Sequence, residues 1–444
     1  MTFENGTRRA ITAALLLYAA LPNAVTAQAL SARESDPRVM GWMEGFPPPR
    51  DKLIGQPDSN YFSFPKLRWS VCHLREFLPT EEISRGLGFP VPMDYPPPAE
   101  FADERQAIDA LTFTPMNSDQ EMTWEESLYA NYTDGMLIIH EDRIVYERYF
   151  GCLEEDGKHA AMSMTKSVTG LLAEILVTEG TLDDTALVRD IIPEIGDSAF
   201  ATATVRQVMD MTTGVKYSED YSDPNADIWL YSAAASPLPK PEGYAGPDGY
   251  WEYLQQVSPE GSHGDQFHYK TINSDMLGWI ISRISGKSVT ELASEWLWRR
   301  MGAEQDAYQT VDGKGVPFAG GGLTAGLRDL GRLGLLMLNE GVINGERLFS
   351  SEVVQKIRAG GDPSRFACFP TIPDGSYTSQ WWVFHNKHGA FAARGVHGQT
   401  IYVDPTAKMV LVRFASFPRA QNGFIDPTSL PAYQAVAEYL MSKD

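Results

Sequence analysis

Residues Met162–Gly180 read MSMTKSVTGLLAEILVTEG. Val168, Leu171, Leu172, Ile175 and Leu176 recur at i, i+3, i+4, i+7 and i+8, which is one apolar face of an α-helix. Gly180 supplies a C-terminal stop. Ser163 and Lys166 stand three residues apart where that helix begins, so both side chains project from the same side of its first turn. A serine alcohol attacks an acyl carbon well only when a base takes its proton, and a lysine one turn away is placed to take it. The helix N-terminus adds unpaired backbone N–H donors beside them.

The S-x-x-K spacing alone carries little weight. Ser63-Phe-Pro-Lys66 has the same pattern, but Pro65 and the lack of a following helical period deny that pair a shared first turn. What surrounds the motif must decide.

The chain has 444 residues, with 37 basic against 58 acidic side chains and a net charge of −21. That balance argues against nucleic acid or an anionic membrane surface as partner, since both need a basic footprint. Arg8 and Arg9 precede the apolar run Ala10–Ala20, and Val25-Thr26-Ala27 offers small residues for cleavage. Residues 1–27 therefore read as a signal peptide, and the expected location is periplasmic or secreted. No later run is long and apolar enough for a membrane span. Cys72, Cys152 and Cys368 allow one disulfide at most and show no metal spacing. His385-Asn-Lys-His388 reads as a solvent-exposed hairpin turn. HExxH, GxSxG and phosphate-loop patterns are absent, so no metal or organic cofactor is expected.

Residues 28–120 are rich in proline (GFPPPRDK, FSFPK, GFPVPMDYPPPAE), which prevents long helices and central strands. They read as an irregular extension lying over the main domain. A hairpin follows, Gly135–Glu141 and Arg143–Phe150, with Ile144, Tyr146, Arg148 and Phe150 on one face. A helical run begins after Thr204, a candidate N-cap, and ends by Gly214. Tyr217 to about Gly261 reads as long loops, a frequent source of substrate contacts. Helical patterns resume at Ser274–Ser285, Thr290–Met301 and Leu323–Leu338. Period-two patterns mark strands at Gln380–Phe384, Ala390–Ala393, Gln399–Val403 and Met409–Ala415, and a last helix covers about Ser429–Met441. Strands at both ends with helices between them predict an α/β (α+β) fold. One antiparallel sheet closes from distant segments, is flanked by helices, and carries a mostly helical subdomain at about 167–375.

Two more patches fall in line behind Ser163-Met-Thr-Lys166. They are Phe267-His-Tyr-Lys-Thr-Ile-Asn273, before an apolar helix, and Arg394-Gly-Val-His-Gly-Gln399, before a strand. In order and spacing the three resemble the S-x-x-K, Y-x-N and K-T-G motifs of the serine β-lactamase and penicillin-binding superfamily. The resemblance covers roughly residues 125–444. It looks closest to the esterase and amidase branch that includes the 6-aminohexanoate-dimer (nylon-oligomer) hydrolases, through Asn273-Ser-Asp-Met-Leu-Gly-Trp279, Gly395–Gln399 and the lead-in Leu67-Arg-Trp-Ser70.

The resemblance implies a β-lactamase-like fold and a serine hydrolase acting through an acyl-enzyme on a small amide, peptide or ester. Ser163 would be the nucleophile, Lys166 its base and Tyr269 a second proton carrier. The N–H groups of Ser163 and Val396 would form the oxyanion hole, and Tyr221 and His397 would border the substrate. Two positions depart from the pattern. Thr271 replaces the Y-x-N asparagine, with Asn273 a possible substitute, and Ala393 stands where K-T-G has lysine, leaving Arg394 to supply charge. These departures make β-lactamase or D-alanyl-D-alanine carboxypeptidase activity the runner-up, with a non-catalytic sensor as the third reading.

Overall fold

The computed structural model describes residues 29–55, 60–236, 240, 243–366 and 369–443. The expected signal segment and Cys368 lie outside these. In chain order the strands of the two larger sheets are β1 (Thr80–Ile83), β2 (Thr133–His140), β3 (Arg143–Tyr149), β4 (His159–Ala160), β5 (Ala307–Thr310) and β6 (Leu323–Ala325), then β7 (Ser376–Thr378), β8 (Trp381–Val383), β9 (Phe391–Gly395), β10 (Gln399–Asp404) and β11 (Met409–Ala415). The helices that matter here are α1 (Pro98–Asp109), α2 (Met164–Thr178), α3 (Val205–Met209), α4 (Asp227–Ala235), α5 (Ile272–Ser285), α6 (Leu327–Leu338) and α7 (Asp426–Met441).

A seven-stranded antiparallel sheet runs β7-β8-β9-β10-β11-β2-β3, so the N-terminal hairpin completes a sheet built mainly from the C-terminal part of the chain. Period-two alternation separates two cores, one on each face of this sheet. Leu137, Ile139, Val410, Val412 and Phe414 pack with α2 and α6. Met136, Ile138, Met409 and Leu411 pack on the other face with Tyr433, Val436 and Leu440 of α7. A second sheet, β1-β5-β6-β4, ends at the strand that leads into α2.

Several sequence expectations need correction. The register between β2 and β3 slips so that Ile138 pairs Tyr146 while Ile139 pairs Ile144. Val145 is the extra residue, and Ile144 and Tyr146 therefore enter opposite cores rather than sharing a face. The proline-rich stretch is not wholly irregular. Proline at the first position of α1 is compatible with a helix, and β1 pairs with β5 from the edge of its sheet. Leu323–Ala325 is a strand, with α6 beginning only after Gly326. The helix at Val289–Leu292 continues as a π-helical stretch, Ala293–Trp298. Tyr217–Gly261 contains α4 and a short helix, Tyr250–Leu254, whose aromatic residues masked the helical period. The His385–His388 turn is a hairpin as expected but is not solvent-exposed at His388, which is buried with Nδ1 2.7 Å from the Asp404 carboxylate.

The N-terminal extension is anchored by chemistry as well as packing. Arg68, buried, meets Asp134 of β2 at 3.0 Å and Ser416 Oγ at 3.1 Å. Asp134 in turn lies 3.3 Å from His159 Nε2 on β4. Cys72 and Cys152 form a disulfide joining the extension to the segment after β3. No helix among the described residues is long and apolar enough to cross a membrane.

Candidate active site

Ser163 sits at the junction of β4 and α2. Met162, just before it, has φ 48°, a left-handed conformation that costs a side-chain-bearing residue energy and persists where packing holds it. Met162 is held by Leu67, Val71 and Leu74 of the extension. From there the first turn of α2 brings Lys166 Nζ to 2.9 Å from Ser163 Oγ. Lys166 also donates to Gly320 O at 2.5 Å and is almost fully buried. The Gly320-Gly321-Gly322 run permits that approach, since a Cβ on Gly320 would lie 2.6 Å from Thr271 Cγ2. Burial pushes the Lys166 ammonium below its ordinary pKa, although the Glu219 and Asp275 carboxylates oppose the fall. Asp275 accepts a bond from Tyr231 and one from Gly320 N at 3.2 Å, and burial raises its carboxyl.

Tyr269 precedes α5. Its ring stacks on Trp382 with centroids 5.5 Å apart and lies 5.1 Å from Lys166 Nζ, and the Ser163 side chain is among the groups that act on its phenol. Burial and Glu219 push the phenol well above its ordinary pKa, so Tyr269 holds its proton at neutral pH. The structure thus brings Ser163, Lys166 and Tyr269 together.

Beyond Gly395 the chain makes a tight turn through Val396, His397 and Gly398 before β10. Gly395 lies against the start of α2, where an added Cβ would be 3.0 Å from Ser163 N and 2.8 Å from Ala161 O. This places the Val396 turn beside the Ser163 amide, as an oxyanion hole requires. Gln399 clamps the turn, donating to Val396 O at 3.1 Å and Ala415 O at 2.6 Å. His397 has φ 63° and its Nδ1 lies 2.7 Å from Phe417 O. Burial lowers its pKa to about 4, so it is neutral in use.

Ser163, Lys166 and Val396 line a cleft of about 560 Å³ that also includes Tyr221, Thr271 and His397. Tyr221 donates to Glu219 at 2.8 Å and meets Trp229 edge-on. Two expected substitutes do not serve the cleft. Asn273 is fully buried, accepting from Thr213 Oγ1 at 2.7 Å and donating to Lys270 O at 3.1 Å. Arg394 is buried and paired with Asp426, so its charge is already neutralised. Other cleft residues went unrecognised in the sequence. Phe62, Phe64, Leu74 and Leu78 come from the extension, and Arg419 and Phe424 from the segment before α7. Glu219 was missed too, because a loop carboxylate carries no periodic signal. Among the described residues the one cluster with metal-ligand types is Cys72, Cys152 and His159, whose two sulfurs are joined in the disulfide.

Residues 126–429 match the Beta-lactamase family model. The chain is 34% identical over 358 residues to the 6-aminohexanoate-dimer hydrolase of Paenarthrobacter ureafaciens, covering 80% of this chain and 86% of that one. Among solved structures it is similar to the "Putative 6-aminohexanoate-dimer hydrolase from Bacillus anthracis", with a TM-score of 0.76, 30% identity, and coverage of 89% and 99%. The octameric penicillin-binding protein homologue from Pyrococcus abyssi, at 19% identity and a TM-score of 0.53 over 71% of this chain and 76% of that one, shares the fold.

Proposed function

Because the chain belongs to the β-lactamase family, we propose that it is a serine hydrolase that cleaves a small amide or ester through an acyl-enzyme on Ser163. The 2.9 Å contact between Lys166 Nζ and Ser163 Oγ carries this reading. Buried lysine has a lowered pKa, and its neutral amine takes the Ser163 proton as Oγ bonds to the substrate carbonyl carbon. The carbonyl π electrons move onto oxygen, where the N–H groups of Ser163 and Val396 stabilise it. Tyr269 gives its proton to the leaving amine or alkoxide as that bond breaks, and recovers one from the Lys166 ammonium. Water then attacks the acyl carbon, releasing the acid and restoring the Ser163 hydroxyl and the neutral amine.

The names of the relatives support an amide of the linear oligoamide type as first substrate. The pairing of Arg394 with Asp426 counts against the β-lactamase and carboxypeptidase reading, which wants a free cation in that register. The Cys72–Cys152 disulfide supports an exported protein, since such bonds persist in oxidising compartments.

The test is labelling with a fluorophosphonate probe, then turnover of a nitrophenyl ester, the 6-aminohexanoate dimer and a chromogenic β-lactam. Wild type should label and hydrolyse the ester or the dimer, and Ser163→Ala should do neither. Labelling that survives Ser163→Ala removes the nucleophile. Labelling without turnover of any substrate favours a sensor.

A further inference from the structure

We infer that Arg419 anchors a carboxylate carried by the substrate away from its scissile bond, so that the enzyme selects linear amides or esters with an anionic end. The inference rests on the acyl-enzyme reading and gives that site its substrate class.

Arg419 lies on the segment between β11 and α7, at the exposed rim of the cleft. Its guanidinium stands 3.4 Å over the ring of Phe424, another rim residue, which holds it in place. The segment is tied to the Val396 turn by two backbone bonds, His397 N to Ala420 O at 3.0 Å and Phe417 N to His397 O at 3.1 Å. Movement of Arg419 is therefore limited relative to the reacting centre.

The charge around it is one-sided. Lys166 and Arg419 are the cations lining the cleft, and no aspartate or glutamate lines it among the described residues. This occurs in a chain where acids outnumber bases by 58 to 37. Lys166 is committed to Ser163 and Gly320, and Arg394 to Asp426. Arg419 forms no ion pair or hydrogen bond with a described residue, so its planar fork keeps all its donors for a ligand. A guanidinium in that state matches a carboxylate in two-point geometry. The cleft lining includes the apolar side chains of Ile228, Trp229 and Phe318, which suits a methylene spacer.

Two matched pairs of substrates test this. One pair differs on the acyl side (mono-p-nitrophenyl adipate and p-nitrophenyl hexanoate), the other on the leaving side (the 6-aminohexanoate dimer and its C-terminal carboxamide). In at least one pair wild type should favour the anionic member, and Arg419→Gln should lower the anionic-to-neutral ratio of kcat/KM about tenfold, mainly through KM. Arg419→Lys should keep part of the preference. Added salt should shrink the ratio in wild type and leave it flat in Arg419→Gln. Ratios unchanged by Arg419→Gln in both pairs overturn the anchor, while turnover of the neutral ester by the same preparations shows that the acyl-enzyme reading stands. A wild type that turns over none of the four overturns both.

Discussion

The amide and the hydroxyl of Thr271 both donate to the carboxylate of Glu219, each at 2.7 Å. Thr271 stands where the family motif has asparagine, and this pairing gives that position its own work. Glu219 also accepts from Tyr221, so one carboxylate joins the Tyr221 loop to the start of α5. Its negative charge at the N-terminus of α5 is favourable, and the same charge raises the pKa of both Lys166 and Tyr269.

Glu219→Gln puts an NH2 group among donors and should cost about 1–3 kcal/mol in unfolding free energy. It also removes an anion that favours the protonated lysine. The midpoint of the pH–rate profile should therefore move to lower pH. A profile that stays in place would show that Glu219 acts on the fold alone.

Only the neutral amine of Lys166 can accept the serine proton. Esterase rate should accordingly rise with pH, with a midpoint below the ordinary lysine value of about 10.4. His397 titrates near pH 4 and takes no part in that rise, so His397→Gln should leave the midpoint where it is. Lys166→Ala should slow acylation by about 10²–10⁴; near-normal single-turnover labelling would refute its role as base.

Gly395→Ala drives a methyl group against Ser163 N and Ala161 O. The strand must withdraw from the start of α2, which misplaces the Val396 turn. A 1 Å misplacement can cost about 10² in rate, so kcat should fall by that order. Circular dichroism and the melting temperature, measured alongside, separate lost alignment from lost folding.

Arg68→Met leaves Asp134 buried beside His159 without its cation. Breaking a buried pair by removing one partner typically costs about 3–5 kcal/mol. Urea denaturation should report a loss in that range, and a loss under about 1 kcal/mol would mean that water or His159 compensates.

Much of this architecture was legible in the chain because two periods write it plainly. Val410, Val412 and Phe414 alternate with Met409 and Leu411, and the sheet divides them between two cores as alternation requires. The apolar stripe of α2 placed Ser163 and Lys166 on one turn, and Thr204 caps α3 through a reciprocal pair with Gln207. What escaped was carried by contacts with no period. The bulge at Val145 depends on strand register, α4 hides in an aromatic stretch, and Leu323–Ala325 is too short to be told from the helix after it. Glu219, Arg419 and the extension reach the cleft only through the tertiary path of the chain.

Phe62, Phe64, Leu74 and Leu78 shape the cleft from a stretch that lies wholly before the family-matching residues, which begin at 126. The Cys72–Cys152 bond and the Arg68–Asp134 pair fasten that stretch down without touching Ser163, Lys166 or Tyr269. Leu67, Val71 and Leu74 of the same stretch also hold Met162 beside Ser163, so one segment both shapes the cleft and braces the turn that presents Ser163, and a chain cut back to residues 126–429 would lose the two together.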